Sequence, residues 1–279
     1  MMISVALCTY NGAKYIDQQL QSIANQSRLP DEIIISDDGS TDGTNTILQE
    51  WVVKFKNLGI HAILNTNTMT LKTVKNFEQA ILSCSGDWIF LCDQDDIWHS
   101  QKVERMIEAA NSNTLALFSN AMLINEAGIS LNRTLWDYWS FNFESKKRWS
   151  NNKFAFMDLL NNKNFVTGAT LMLNRRLLCK SLPINVPNNY YHDAWFALHA
   201  SARSGLQFME DITISYRVHD KQQVGITHGG KDLSSVVSEQ NISTICFHIN
   251  MLKQYPFIFL SKPYLLKNIL GKLLMRNVR

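Results

Sequence analysis

The sequence has no uncharged apolar run of about 18 residues, so no transmembrane helix is expected. It opens without the basic stretch and small-residue cleavage site of a secretory signal. Cysteine is sparse: five residues, an odd number, with no C-x-x-C pair. That usage argues against a disulfide framework or a zinc site and for reduced, buried thiols, as in a cytoplasmic protein. Excess charge of one sign is also missing, and a net +3 is too small to call for nucleic acid. No internal repeat is visible. What remains is 279 residues, 46% apolar and 18% charged. That is enough for one large α/β domain, or one domain with an appendage, and it does not read as disorder.

The first 120 residues alternate between strand and helix patterns. "ISVALCT" (Ile3–Thr9) is a β-rich run, followed by a "YNG" turn and a helical pattern near Ala13–Asn25. "EIIIS" (Glu32–Ser36) leads into "DDGSTDGT", where Ser40, Thr41 and Asp42 are candidate caps for an amphipathic helix over Thr44–Lys56. "IHAILN" gives a third strand, Val74–Cys84 a third helix, and "DWIFLC" (Asp87–Cys92) a fourth strand. Such alternation implies right-handed βαβ units and a mostly parallel, Rossmann-like sheet flanked by helices. Ligands of such sheets sit at the carboxyl ends of the strands. The loops "TYNG", "DDGSTD" and "DQDD" should therefore line one crevice.

The last of these loops places Asp93, Asp95 and Asp96 directly after an apolar strand. Carboxylates crowded near a core are costly unless a cation holds them. Acidic residues at such a strand end suit a hard divalent cation, Mg²⁺ or Mn²⁺, which binds one or two carboxylates together with substrate phosphates. The alternative is that they cap a helix starting near His99.

"CTYNG", "SDDGSTDGT" and "FLCDQDDIW", in this order and spacing, resemble the inverting family 2 glycosyltransferases with the GT-A fold. The resemblance covers about the first 220 residues. "DQDDIW", with the later "HDAW" and "YRVH", is similar to the bacterial rhamnosyltransferase-like branch that builds surface polysaccharides. The resemblance implies that Thr9, Tyr10 and Asn11 grip nucleobase and ribose, and that Asp38, with Asp37 beside it, contacts the base. It further implies that Asp93 meets the ribose, that Asp95 binds the metal bridging the diphosphate, and that Asp96 supports them. A nucleotide-diphosphate sugar, dTDP- or UDP-linked, would then be the donor. A glycan or polyprenyl-diphosphate-linked molecule would be the acceptor.

An inverting transfer needs one base for the acceptor hydroxyl. In "NYYHDAWFALHA" (Asn189–Ala200), Asp193 matches the position of the family's catalytic carboxylate, and it could also cap its helix. The family often has an acidic pair here, whereas this chain has His192 before Asp193, either a competing base or a neighbour. Trp195 is acceptor-site wall or core. In "TGATLMLNRR", Gly168 allows a sugar to approach the backbone or marks a bulge. "SYRVHDKQQVG" presents Arg217 and His219 on one face of a strand. Arg217 suits a diphosphate, and His219 could complete a metal's coordination.

Two further segments stand out. Thr134–Phe156 is dense in Trp, Phe and Tyr, read here as a subdomain core rather than a sugar-stacking platform. The catalytic domain is expected over 1–230, its nucleotide-sugar half over 1–120 and its acceptor half over 121–230. A basic, amphipathic helical extension follows over 231–279. "PYLLKNILGKLLMRNVR" (Pro263–Arg279) reads as an interfacial helix that could hold the protein at the inner face of the cell membrane, or pack in a dimer. Two other functions stay open: another nucleotide-sugar-using transferase, or a nucleotide-sugar-binding module without turnover.

Overall fold

The computed structural model describes residues 1–187, 190–220, 222 and 242–256. Strands β1 (Ile3–Thr9) and β2 (Glu32–Asp37) are buried at every position, as parallel strands covered on both faces must be. Between them runs helix α1 (Ile16–Ala24), which buries Ile16, Leu20 and Ile23 at helical spacing. Helix α2 (Thr44–Asn57) buries Leu48, Trp51 and Phe55 and leads to β3 (His61–Thr66). Helix α3 (Lys72–Ser83) then buries Phe77, Ala80 and Ile81 ahead of β4 (Trp88–Cys92). Each apolar stripe has the period of its element.

The second half continues with β5 (Ile97–Trp98), α4 (Lys102–Ala109), β6 (Ala116–Ile124) and β7 (Ser130–Thr134). Three short helices follow, α5 (Leu135–Tyr138), α6 (Phe143–Trp149) and α7 (Asn152–Leu160). A 3₁₀ turn at Gly168–Thr170 enters β8 (Leu171–Asn174), and α8 (Arg175–Ser181), α9 (His192–Ala202), β9 (Leu206–Arg217) and α10 (Ile242–Gln254) complete the order.

One nine-stranded sheet runs β3-β2-β1-β4-β8-β6-β9-β5, with β7 on β6. The four N-terminal strands are parallel to their neighbours, and β6 with β9 is parallel too. The remaining pairs, β4–β8, β6–β8, β5–β9 and β6–β7, are antiparallel. The result is a mixed sheet with helices on both faces. One face packs Leu20, Phe55 and Val103; the other packs Phe77, Phe118 and Phe196.

The aromatic segment is core, as its density suggested. Trp136, Phe141 and Trp149 ring Phe118 at centroid distances of 5.9, 5.8 and 6.2 Å. Trp195 is core as well, with its indole N–H donating to the Ser181 carbonyl at 2.5 Å. Cys8, Cys84 and Cys92 are free and buried as expected, whereas Cys179, in the last turn of α8, is free and exposed.

Of the expected extension, α10 docks on this face through Phe247 and Met251, and Tyr255 just beyond it meets the His199 ring at 2.7 Å. The expected interfacial helix, Pro263–Arg279, lies outside the described residues. Among the described residues no helix is long and apolar enough to cross a membrane.

Candidate active site

Register aligns three strand ends. Thr9 pairs with Asp37, and Leu7 pairs with Cys92, so the loops after β1, β2 and β4 leave the sheet on one edge. They are laced together. The Thr9 hydroxyl donates to Asp37 at 2.7 Å, and the Asn11 carbonyl oxygen of the side chain accepts the Thr41 N–H at 2.8 Å. Asn11 does so from a left-handed backbone, φ 49°, which asparagine tolerates better than most residues. Gln94 clamps Tyr10 from both sides: its Oε1 accepts the Tyr10 N–H at 2.7 Å and its Nε2 donates to the Tyr10 carbonyl at 3.0 Å. Gln94 escaped the sequence reading, since nothing in "DQDD" tells the glutamine from a spacer.

The loops open on a cleft of about 820 Å³. Its lining includes Thr9, Tyr10, Asn11 and Asp38, the acidic-loop residues Asp93 and Asp95, and Gly168, His192, Asp193 and His219. Apart from Asp37 and Arg217, the residues expected to hold a donor thus share one space with the residue expected to act as base.

Asp37 does not reach it. Its carboxylate accepts from Thr9, from the Ser40 hydroxyl and N–H, and from Asn45, and it is fully buried. Asp37 is a strut between loops rather than a base-binding group. Asp38 lies on the cleft wall, but its oxygens accept the Leu71 and Lys72 N–H groups at 2.7 and 2.9 Å and the Asn67 amide at 3.0 Å. It shapes that end of the cleft by holding the approach to α3. Of the three candidate caps for α2, Asp42 takes the Thr44 N–H at 3.1 Å, while Ser40 is engaged with Asp37 and Thr41 with Asn11.

The acidic loop does not cap a helix. Strand β5 separates it from α4, whose first turn is capped instead by Gln26, its Oε1 accepting the Val103 N–H at 3.1 Å. It is instead stitched to the end of β9. The Arg217 N–H donates to Asp96 Oδ1 at 2.9 Å, and the guanidinium Nε donates to the Asp95 carbonyl at 2.7 Å. The other guanidinium nitrogens donate to the Asn125 and Glu126 carbonyls and to Gln18 Oε1, and the group lies 4.8 Å from the Tyr15 ring centre. Arg217 is 1% exposed. This corrects its expected role. It is a brace behind the loop, with its donors committed to the protein, not a diphosphate ligand.

Asp96 is buried, and desolvation, with Asp95 and Asp93 adding, pushes its carboxyl well above the usual range. Asp93, half-buried on the cleft, is raised to about 7, first by burial and then by Asp95 and Asp193, with Lys102 opposing. Asp95 Oδ2 meets His219 Nε2 at 2.8 Å, and His219 Nδ1 is buried without a partner among the described residues. Among the described residues no cluster of three or more His, Cys, Asp or Glu side chains converges on one point. The Asp95 carboxylate and the His219 imidazole are nonetheless ligand types that a divalent cation takes when other groups complete its shell.

Across the cleft, Asp193 sits in the first turn of α9, and its Oδ1 accepts the Ala194 N–H at 2.5 Å. That N–H favours the ionised form, yet burial wins and raises the carboxyl to about 6. His192 is 5% exposed and stacks on Phe77 with ring centroids 4.0 Å apart. Burial drives it down to about 3, and both its nitrogens lack partners among the described residues. The imidazole is therefore neutral throughout the physiological range.

Gly168 makes this arrangement possible. A Cβ there would stand 2.8 Å from His192 Nε2, so the close approach is filled by a side chain of the protein itself. Gly168→Ala is expected to displace His192 and to cost about 1–3 kcal/mol in thermal unfolding, the usual range for overpacking. Unchanged stability and turnover would show that the wall is softer than this geometry implies.

Residues 4–182 match the family model described as Glycosyl transferase family 2. The cholesterol galactosyltransferase of Borreliella burgdorferi is 22% identical over 98% of this chain and 79% of its own length. The dTDP-rhamnosyl transferase RfbG of Shigella flexneri is 32% identical over 42% of this chain and 41% of its own length, so this likeness spans less than half of that relative. Among solved structures, the mannosyltransferase PcManGT of Pyrobaculum calidifontis, in complex with GDP-Man and Mn²⁺, superposes with a TM-score of 0.58. It is 18% identical, over 78% of this chain and 57% of that one. TarS 1–349 of S. aureus in complex with UDP gives 0.55 at 18% identity, over 79% of this chain and 61% of that one. The mixed sheet is thus the glycosyltransferase fold that the sequence resemblance implied.

Proposed function

Because this chain belongs to glycosyl transferase family 2, we propose that its cleft takes a nucleoside-diphosphate sugar and moves the sugar, with inversion, to a hydroxyl of a glycan or lipid-linked acceptor in bacterial surface polysaccharide synthesis. The observation that carries this reading is that Asp193 opens on the same cleft as Asp93 and Asp95. UDP and dTDP are the nucleotides to test first, and the likeness to a dTDP-rhamnosyl transferase makes rhamnose the first sugar.

In this reading the laced loops at Thr9, Tyr10, Asn11 and Asp38 hold the nucleoside, and Asp93 faces the ribose. Asp95 and His219 would hold Mg²⁺ or Mn²⁺, which as a Lewis acid offsets charge on the departing diphosphate. Asp193 takes the acceptor hydroxyl proton as that oxygen attacks the anomeric carbon and the bond to the diphosphate oxygen breaks. A base works best with a pKa near the working pH. Asp193, at about 6, meets this far better than His192, at about 3.

His192 then acts on the substrate as a neutral hydrogen-bonding wall. His192→Ala is expected to keep Asp193 chemistry, with the acid limb of the pH–rate profile still near 6 and turnover reduced less than in Asp193→Asn. A dead His192→Ala enzyme beside an active Asp193→Asn enzyme would exchange the two roles.

The function itself is tested by screening nucleotide sugars for nucleoside-diphosphate release with and without divalent cation. Metal-dependent release with a UDP- or dTDP-sugar is expected. Tight nucleotide binding with no release or transfer from any sugar would favour the binding-module reading.

A further inference from the structure

Lys102 opens α4 in its exposed-prone first turn, yet it is only 1% exposed. Lysine ordinarily keeps its ammonium in water, and burying one without compensation is strongly unfavourable. Among the described residues no carboxylate lies within ion-pair distance of it. Its contacts are specific instead. Nζ donates to the Ala169 carbonyl at 2.6 Å and stands 4.1 Å over the Trp98 ring. Trp98 belongs to β5, directly after the acidic loop, and Ala169 belongs to the turn whose Gly168 packs against His192, the neighbour of Asp193. One side chain therefore ties the segment after the acidic loop to the turn that packs on His192. A methionine would fill the same volume without burying a charge.

We propose that Lys102 is a positioning residue for sugar transfer, whose ammonium fixes the Gly168–Thr170 turn against the segment following the acidic loop and so sets the place of Asp193. This rests on the reading of Asp193 as the base. Burial lowers Lys102 to about 8, while Cys92 on β4 and Asp96 and Asp93 in the loop pull it back up. The nearby His99, ahead of α4, is itself lowered, mainly by burial. Above about pH 8 the ammonium is lost, and with it the charged donor to Ala169.

The test compares wild type, Lys102→Met and Lys102→Arg. Lys102→Met is expected to unfold at the wild-type temperature or higher, to bind nucleotide normally, and to lose on the order of 10²-fold in kcat with little change in KM, as a small misplacement of a reacting group does. Its 166–170 amides should exchange with solvent faster than in wild type. Lys102→Arg, which stays charged, should recover part of the rate and lose the alkaline limb near pH 8. Wild-type kcat and wild-type amide exchange in Lys102→Met would overturn the proposal. If the methionine variant does not fold, an alkaline limb unmoved in Lys102→Arg overturns it equally. The exchange measurement stands without turnover, so a wild-type protein inactive on every nucleotide sugar would count against the proposed function and leave the positioning role to be decided by exchange.

Discussion

Asp193→Asn is expected to lower sugar transfer by about 10²–10⁴-fold, the usual worth of a positioned general base, while nucleotide-sugar binding persists. The asparagine keeps an oxygen for the Ala194 N–H that now holds the carboxylate, so the first turn of α9 stays in place. The stability sign runs opposite to the activity. A carboxyl whose folded pKa is raised to about 6 favours the fold below the unfolded value near 4, and that benefit is lost as pH rises through about 6. At pH 7 the ionised Asp193 therefore weakens the fold, and the asparagine variant should be as stable as wild type or more so. Wild-type turnover should fall below about pH 6 as the base is protonated, and the residual activity of Asp193→Asn should lack that limb. Near wild-type transfer by the variant would remove Asp193 from the chemistry.

The second large effect is at Asp95. Asp95→Ala should reduce metal-dependent release of nucleoside diphosphate by on the order of 10³-fold. Lewis-acid stabilisation of a leaving group is worth several kcal/mol, and each 1.4 kcal/mol or so is tenfold. The fold should survive, because the brace from Arg217 goes to the Asp95 carbonyl and to Asp96, not to the Asp95 carboxylate. Mn²⁺ binding in the presence of nucleoside diphosphate, followed by electron paramagnetic resonance, should weaken in parallel. Full activity with chelator present, or an undiminished Asp95→Ala enzyme, would count decisively against a metal at this carboxylate.

Much of the donor half is visible in the chain itself. β1, β2 and β4 are fully covered, so they appear as unbroken apolar runs, and each ends in polar turn residues that the parallel register then aligns. The acidic loop was recognisable for the same reason. The antiparallel half is less legible, because β6 takes partners from segments about 50 and 90 residues away, and no local pattern encodes such pairing.

Single residues mislead in a systematic way. Arg217 looks like an anion ligand because a sequence shows its charge and not the four backbone and side-chain oxygens that consume its donors. Asp37 looks like a ligand because a strand-end aspartate gives no sign of the three hydroxyl and amide partners around it. Lys102 could have been flagged: it shares the buried stripe of α4 with Val103 and Met106, and a cation on an apolar stripe is the informative exception. Family resemblance alone puts Asp193 ahead of His192; burial adds a physical ground by separating a carboxyl near 6 from an imidazole near 3.

The central claim, single displacement with Asp193 as the one base, predicts the stereochemistry of the product. The most direct measurement is proton NMR of the first-formed sugar during donor turnover, recorded faster than mutarotation, with water or a glycan hydroxyl as acceptor. The anomeric configuration should be opposite to that of the nucleotide sugar. A first-formed product that retains the donor's configuration would require a second displacement, and it would contradict the assignment of one base on one face of the sugar.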